Sequence, residues 1–162
     1  MLFNKVVLAT DGSKRAEFAA GFAIQVVQSS GGELFIISVA DSGSPRSALD
    51  LDPDFEEEVI DGNFTPDAEK MLKLRTAPEE KFVKNIELVA LGKGVITQTA
   101  VRLGSPAEEI LKFAEDNSCD LIVVGSRGRR PLTTALAGSV ATSLVHAGEI
   151  PVLVIPAHSG GK

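Results

Sequence analysis

The chain has 162 residues, enough for one domain with a buried core. Apolar residues make up 44% and charged residues 23%, ordinary globular proportions, and no stretch approaches the roughly 20 apolar residues that cross a bilayer, so no membrane span is expected. The net charge of −6 argues against nucleic acid as the main partner, because a duplex-binding face must be basic, and eight scattered Phe with no Trp or Tyr offer no base-stacking platform.

The opening Met1-Leu2-Phe3-Asn4-Lys5 lacks the basic run, apolar segment and small-residue cleavage site of a secretory signal. Cys119 is the only cysteine, so no internal disulfide can form. Both features lead to the expectation of a cytoplasmic protein, with Cys119 a buried structural thiol between an amphipathic helix and an apolar run.

Lys5 to Thr10 is a short run apolar on both faces, the pattern of a central parallel strand, and Asp11-Gly12-Ser13 punctuates it. Ser13 suits a helix N-cap, and Ala16, Ala19, Ala20, Ala23, Val26 and Val27 form one stripe behind it. Gly31-Gly32 ends that helix, and Glu33 to Ala40 is a second buried strand. Residues 41 to 69 hold ten acids against one base, Arg46, which leaves a charge of +3 on the remainder. Residues 41 to 65 show no sustained period, and such a long connection reads as a lid, an interaction segment or disorder, expected to be mobile until a partner binds.

Thr65-Pro66 starts the next helix, which Pro78 is expected to break or kink before a second piece with Phe82, Ile86, Val89 and Ala90. Val95 to Leu103 is a third strand. Ser105-Pro106-Ala107-Glu108 combines a capping box with proline at the first helical position. Asp120 to Gly125 is the fourth strand. A helix from about Ser139, with Val140, Leu144 and Val145 inward, precedes a last strand from Pro151 to Pro156. Strict alternation of strand and helix predicts a single α/β domain, a parallel sheet wound on both faces.

After the fourth strand come Gly125-Ser126-Arg127-Gly128, nine residues, then Gly138-Ser139. Glycines let backbone approach a polyphosphate without a Cβ in the way, and Gly138-Ser139 opens a helix whose free N–H groups suit an anion. Ser139, Thr142 and Ser143 add hydroxyl donors, and Gly128 and Gly138 are expected on the surface side of the sheet. A lone G-x-x-G is ordinary turn chemistry; the full spacing directly behind a buried strand is far more specific.

With VVLATDGS (6–13), GSPAEEIL (104–111), DLIVVGSRG (120–128) and the closing PVLVIP, this pattern resembles the nucleotide-binding type of the universal stress protein family, over nearly the whole chain apart from 41 to 65. The resemblance implies a Rossmann-like, adenine nucleotide alpha hydrolase-like fold: five parallel strands in the order 3-2-1-4-5, with a ligand crevice between strands 1 and 4. It also implies ATP, with or without Mg²⁺, as the bound adenine nucleotide. Ala9, Thr10 and Asp11 would surround adenosine, Val39 would line the base pocket, and Gly125, Ser126, Arg127, Gly128, Gly138, Ser139, Val140 and Ala141 would wrap ribose and phosphates. Arg129 and Arg130 fall in the variable spacer and are expected to be solvated. Asp11 also has a plain reading, as the Asp of an Asp-Gly turn. The family pairs the last strand across a two-fold axis, which implies a homodimer.

Other motifs carry less. Asp50-Leu51-Asp52-Pro53-Asp54 imitates a calcium loop, but Phe55 stands where glycine is needed and no Glu closes it. His146 and His158 are too far apart to suggest a metal pair. No Walker lysine motif, nucleophile elbow or serine triad is present, so no catalytic residues are assigned. The leading reading is a nucleotide-binding regulatory module for stress tolerance, not an enzyme. A slow or self-phosphorylating ATPase, and a dimeric interaction protein with nucleotide as filler, stand beside it, and the protein partners are not specified by the sequence.

Overall fold

Side chains alternate along each strand, and this sorts the apolar residues of the sheet into two layers. The computed structural model describes residues 3–41, 66–126 and 138–156, so the acidic segment, with its expected mobility and its calcium-like stretch, and residues 127–137 lie outside it, as does His158. Along the chain come β1 (Lys5–Ala9), α1 (Lys14–Ser30), β2 (Glu33–Asp41), α2 (Pro66–Gly92), β3 (Ile96–Gly104), α3 (Pro106–Asp116), β4 (Leu121–Gly125), α4 (Ser139–Ala147) and β5 (Val152–Ile155). Every strand pair is parallel, in the order β3-β2-β1-β4-β5.

On one face Val6, Leu8, Leu34, Ile36, Leu121 and Val123 pack with α1 and α2, through Ala23, Ile24, Val27, Val83, Ile86 and Ala90. On the other, Val7, Ala9, Phe35, Ile37, Ile122 and Val124 pack with Ile110, Phe113 and Ala114 of α3 and with Ala141 and Leu144 of α4. Leu8, Ile36 and Ile122 are wholly withdrawn from solvent, and each such side chain contributes about 1.5–3 kcal/mol by burial.

Local chemistry sets the helix ends. The Ser13 hydroxyl accepts from the Ala16 N–H at 3.1 Å, and Gly31 closes α1 with its N–H on the Val27 carbonyl. Ser105 and Pro106 open α3, but the expected capping box is not made: the Ser105 hydroxyl takes no capping hydrogen bond. Pro106 at the first helical position has no N–H to satisfy, and Ser105 is exposed, so water can serve the rest of the turn.

Pro78 does not break α2, which is helical from Pro66 to Gly92. The proline costs the hydrogen bond to the Leu74 carbonyl. Leu74 and Pro78 both lie on the exposed side, where water can replace that bond, while Val83, Ile86 and Ala90 hold the following turns to the sheet. Val145, expected inward, is instead 51% exposed, Val89 on α2 is 54% exposed, and the inward residues beside them are Leu144 and Ala90. In α1, Ile24 takes a full place in the buried stripe and Val26 only a partial one.

Polar ties fix the ends of the central strands. The Asn4 and Lys5 N–H groups donate to Asp120 Oδ2 and Oδ1 at 2.8 and 3.2 Å, and the Asp120 N–H returns a bond to the Lys5 carbonyl. The Lys5 ammonium donates to the Asn117 carbonyl at 3.0 Å. On the other side of β1, the Glu33 N–H donates to the Asn4 carbonyl at 2.8 Å, which brings that oxygen close to Gly32. A Cβ on Gly32 would lie 2.4 Å from it.

Two glycines of α1 and its exit should therefore respond oppositely to alanine. Gly21→Ala fills open space in mid-helix and should stabilise the protein by about 0.5–1 kcal/mol. Gly32→Ala forces a Cβ against backbone and should destabilise it by about 1–3 kcal/mol. Urea unfolding of both variants checks the pair, and equal effects would contradict it.

Cys119 is buried, as expected, and burial pushes its thiol up to about 11, with Asp120 adding to the rise and Lys5 opposing it. The thiol should therefore react slowly with a disulfide reagent at pH 8 until urea unfolds the chain. Because the folded value is raised from the ordinary 9.0, stability should hold below pH 9 and fall as the pH climbs towards 11. Rapid labelling of the folded protein would show the site to be open.

Candidate functional site

The chain order of the sheet reverses between β1 and β4, since β1 is followed by β2 on one side and borders β4 on the other. Crossovers leave these two strands in opposite directions, so a crevice opens at their carboxyl ends. Ala9 pairs with Ile37 of β2 and with Val124 of β4, which puts the last residue of β1 at the centre of that edge.

Thr10 is buried and keeps one bond to the sheet, its N–H on the Ile37 carbonyl at 2.9 Å. Beyond it the chain turns at once. Gly12 donates to Thr10 Oγ1 at 3.3 Å, and Ser13 donates to Asp11 Oδ1 at 3.0 Å. The plain reading of Asp11 therefore holds: it organises its own turn. This geometry does not conflict with a ligand role, because a carboxylate accepts at several lone pairs. Val39 lies two residues beyond Ile37 and packs on the same face of the sheet as Ala9. Ala9, Thr10, Asp11 and Val39 thus gather at one corner of the crevice.

Across the switch point, Gly125 ends β4, and the Ser126 N–H donates to the Ile155 carbonyl of β5 at 2.7 Å. The Ser126 carbonyl in turn accepts the Gly138 N–H, so the end of β4 and the start of α4 meet. Arg127 and Gly128, with the spacer carrying Arg129 and Arg130, fall outside the described residues. Gly138 is the N-cap of α4 and has no side chain to cap it, and Ser139, Val140 and Ala141 form the first turn of the helix. Ser139 is exposed, Val140 half-buried and Ala141 buried against the sheet. Thr142 and Ser143 are exposed. Gly138 itself is buried, not on the surface side, because its N–H is drawn onto Ser126 at the base of the crevice. His146 occupies the last turn of α4, far along the helix from this end and favourably placed for its dipole.

One neighbour of the site was not legible in the sequence. A Cβ built on Gly12 would lie 2.3–2.4 Å from Cδ1, Cε1 and Cγ of Phe82, so the ring of this α2 residue lies directly on the β1–α1 turn. The sequence places Phe82 among the apolar residues of this helix; nothing in the spacing says that it reaches the turn. Among the described residues no group of His, Cys, Asp or Glu could hold a metal ion. No described helix is long and apolar enough to cross a membrane.

This architecture has close counterparts. A model of the universal stress protein family matches residues 2–156. The chain is 32% identical over 154 residues to Universal stress protein MJ0531 of Methanocaldococcus jannaschii, covering 95% of this chain and 82% of that one. It is 32% identical to Universal stress protein YxiE of Bacillus subtilis, covering 95% of this chain and 99% of the relative. Among solved structures, the hypothetical protein MJ0577, 26% identical, superposes with a TM-score of 0.74 over 96% of this chain and 97% of its own. A universal stress protein in complex with cAMP, 23% identical, shares the fold with a TM-score of 0.66 over 97% of this chain and 99% of its own. The switch point, the turn after β1 and the glycine-opened α4 are thus set in a Rossmann-like sheet that other members share, and the chain belongs to the universal stress protein family.

Proposed function

We propose that this family member binds an adenine nucleotide, ATP with or without Mg²⁺, at the carboxyl ends of β1 and β4, and that occupancy of this site regulates its part in stress tolerance. The observation that carries the reading is the Ser126–Gly138 hydrogen bond at the switch point: it joins the two halves of the glycine pattern beside the turn that carries Asp11. Backbone N–H groups at the start of α4, with no side-chain cap, suit phosphate oxygens. Ala9 and Val39 offer an apolar wall for the base. Asp11, beside them, is suited to accept from adenine's amino group and to repel the oxygen that guanine carries there. The family resemblance and the cAMP-bound relative with the same fold support an adenine nucleotide as the ligand class.

Binding, not turnover, is the proposed activity, because Asp11 commits Oδ1 to the Ser13 N–H and so suits positioning better than activation of water. A cytoplasmic setting accompanies this reading, supported by a lone buried thiol that gains nothing from an oxidising compartment.

Calorimetric titration tests the site. Wild type should bind ATP, with AMP, cAMP and GTP as comparison ligands. Gly128→Val should abolish ATP binding by placing a branched side chain where phosphate must meet backbone. Asp11→Ala should weaken ATP and narrow its advantage over GTP. Arg130→Ala should cost at most about 1 kcal/mol, the scale of an exposed charge. Gly138 is a poorer probe, since its burial would mix folding with binding. Wild-type affinity in both Gly128→Val and Asp11→Ala would place the nucleotide elsewhere, and steady release of phosphate with ATP and Mg²⁺ would replace the binding module with an ATPase.

The protein is also proposed to be a homodimer through β5. This strand is the sheet edge beside β4, with Val152, Leu153 and Val154 half-buried and Pro151 and Pro156 at its ends. The carbonyls of Pro151 and Ile155 point to β4, so by alternation the N–H of Val154 faces the open edge. Val154→Pro should remove that donor while leaving the β4–β5 ladder intact. Sedimentation at micromolar concentration should give a dimer for wild type and a monomer for Val154→Pro; a monomeric wild type would refute the assembly.

A further inference from the structure

Short-range bonds set the shape of the turn after β1. Thr10 Oγ1, Asp11 Oδ1 and Ser13 Oγ accept from the N–H groups of Gly12, Ser13 and Ala16. Such bonds define the shape of the turn but not where it sits relative to β4, because both partners of each bond move together. The Thr10 N–H on the Ile37 carbonyl ties the first residue of the turn to β2, and a tertiary contact farther along bears on where Asp11 and Gly12 lie. At Gly12, with φ of +73°, the three atoms nearest to a built Cβ all belong to the Phe82 ring. The ring therefore occupies the room that a side chain at position 12 would need, and Gly12 is required both for its left-handed backbone and for the approach of the ring.

Phe82 is itself firmly based. The adjoining Val83 and Ile86 and the later Ala90 are buried against the sheet, and Glu79, one turn earlier on α2, is fully buried as well. The ring is half-buried, so it is a wall of the turn more than a part of the central core. Resting on the proposed nucleotide site, we propose that Phe82 is a positioning residue for it: its ring seats the Asp11–Gly12 turn and so sets the direction of the Asp11 carboxylate at the crevice. Phe82 does not touch the nucleotide in this arrangement. Its effect is selective for the base end, because the glycine-opened start of α4 is held separately by Ser126.

The test compares ATP and GTP affinities of wild type, Phe82→Ala, Phe82→Leu, Phe82→Tyr and Val27→Ala. Phe82→Ala removes the wall, and Phe82→Leu keeps much of its volume, so the second stays informative if the first fails to fold. Both should lose about tenfold in ATP affinity with little change for GTP, so that the ratio between the two narrows. Phe82→Tyr retains the ring and should restore both affinity and ratio. Val27→Ala, a buried change near the far end of α1, should lower stability and leave the ratio unchanged. A wild-type ratio in Phe82→Leu, or equal losses for ATP and GTP, would reduce Phe82 to a packing residue and overturn the proposal. A wild type that binds neither nucleotide would overturn the nucleotide reading itself, a distinct result seen before any variant is made.

Discussion

The two carboxylate oxygens of Asp120 accept the backbone N–H groups of Asn4 and Lys5, and the Asp120 N–H bonds back to Lys5. This fork holds the start of β1 against the start of β4. Register propagates from there, because the ladder that begins beside Asp120 brings Ala9 opposite Val124 at the other end. A slip of one residue would exchange the two faces of β1, sending Val7 and Ala9 where Val6 and Leu8 belong. It would also displace the turn at Asp11 from the end of β4. The clamp sits at the opposite end of the sheet from the crevice, so the geometry of the site depends on an interaction that no ligand touches.

Two kinds of tie then act at the crevice, and they fix different things. The Ser126–Gly138 hydrogen bond joins the end of β4 to the start of α4, backbone to backbone. The turn after β1 depends on the side chains of Thr10 and Asp11 for its shape and meets Phe82 at Gly12. A backbone-built half suits phosphates, which differ little between nucleotides. Under the proposed nucleotide reading, selectivity for the base would reside in the half built from side chains.

The fold was legible because β1, β2 and β4 are buried apolar runs and the helices between strands carry apolar stripes, so the alternation β-α-β admits few topologies. The candidate site was proposed from the glycines and Asp11, where residue type and spacing suggest the chemistry. Misreadings came where the partner of a residue decides its role. Pro78 is expected to break or kink its helix, but α2 runs unbroken past it, because a proline whose lost bond lies on the wet side of a well-anchored helix is tolerated. Val89 and Val145 are apolar and still face outward, since phase against the sheet, not residue type, selects Ala90 and Leu144. The Ser105-to-Glu108 spacing predicts a capping bond that Ser105 does not make. Phe82 meeting Gly12 joins positions 70 residues apart, beyond the reach of any local pattern.

The two edges of the sheet are protected unequally, and the difference bears on assembly. At β3 the edge presents Thr97, Gln98, Thr99 and Arg102. The Arg102 guanidinium bonds to Glu109 and to Asp116 at 3.3 Å each and lies 5.2 Å from the centre of the Phe113 ring, stitching the strand to α3. Charge and polar side chains at an edge discourage pairing with another strand. At β5 the four residues are Val152, Leu153, Val154 and Ile155, with no charge among them. Proline on either side keeps the open stretch short, which limits uncontrolled pairing without abolishing it. The strands thus differ in character: β3 carries a charged side chain tied to α3, and β5 carries only apolar ones. Under the proposed assembly through β5, a self-complementary contact of two such strands would give a closed two-fold pair, not a filament.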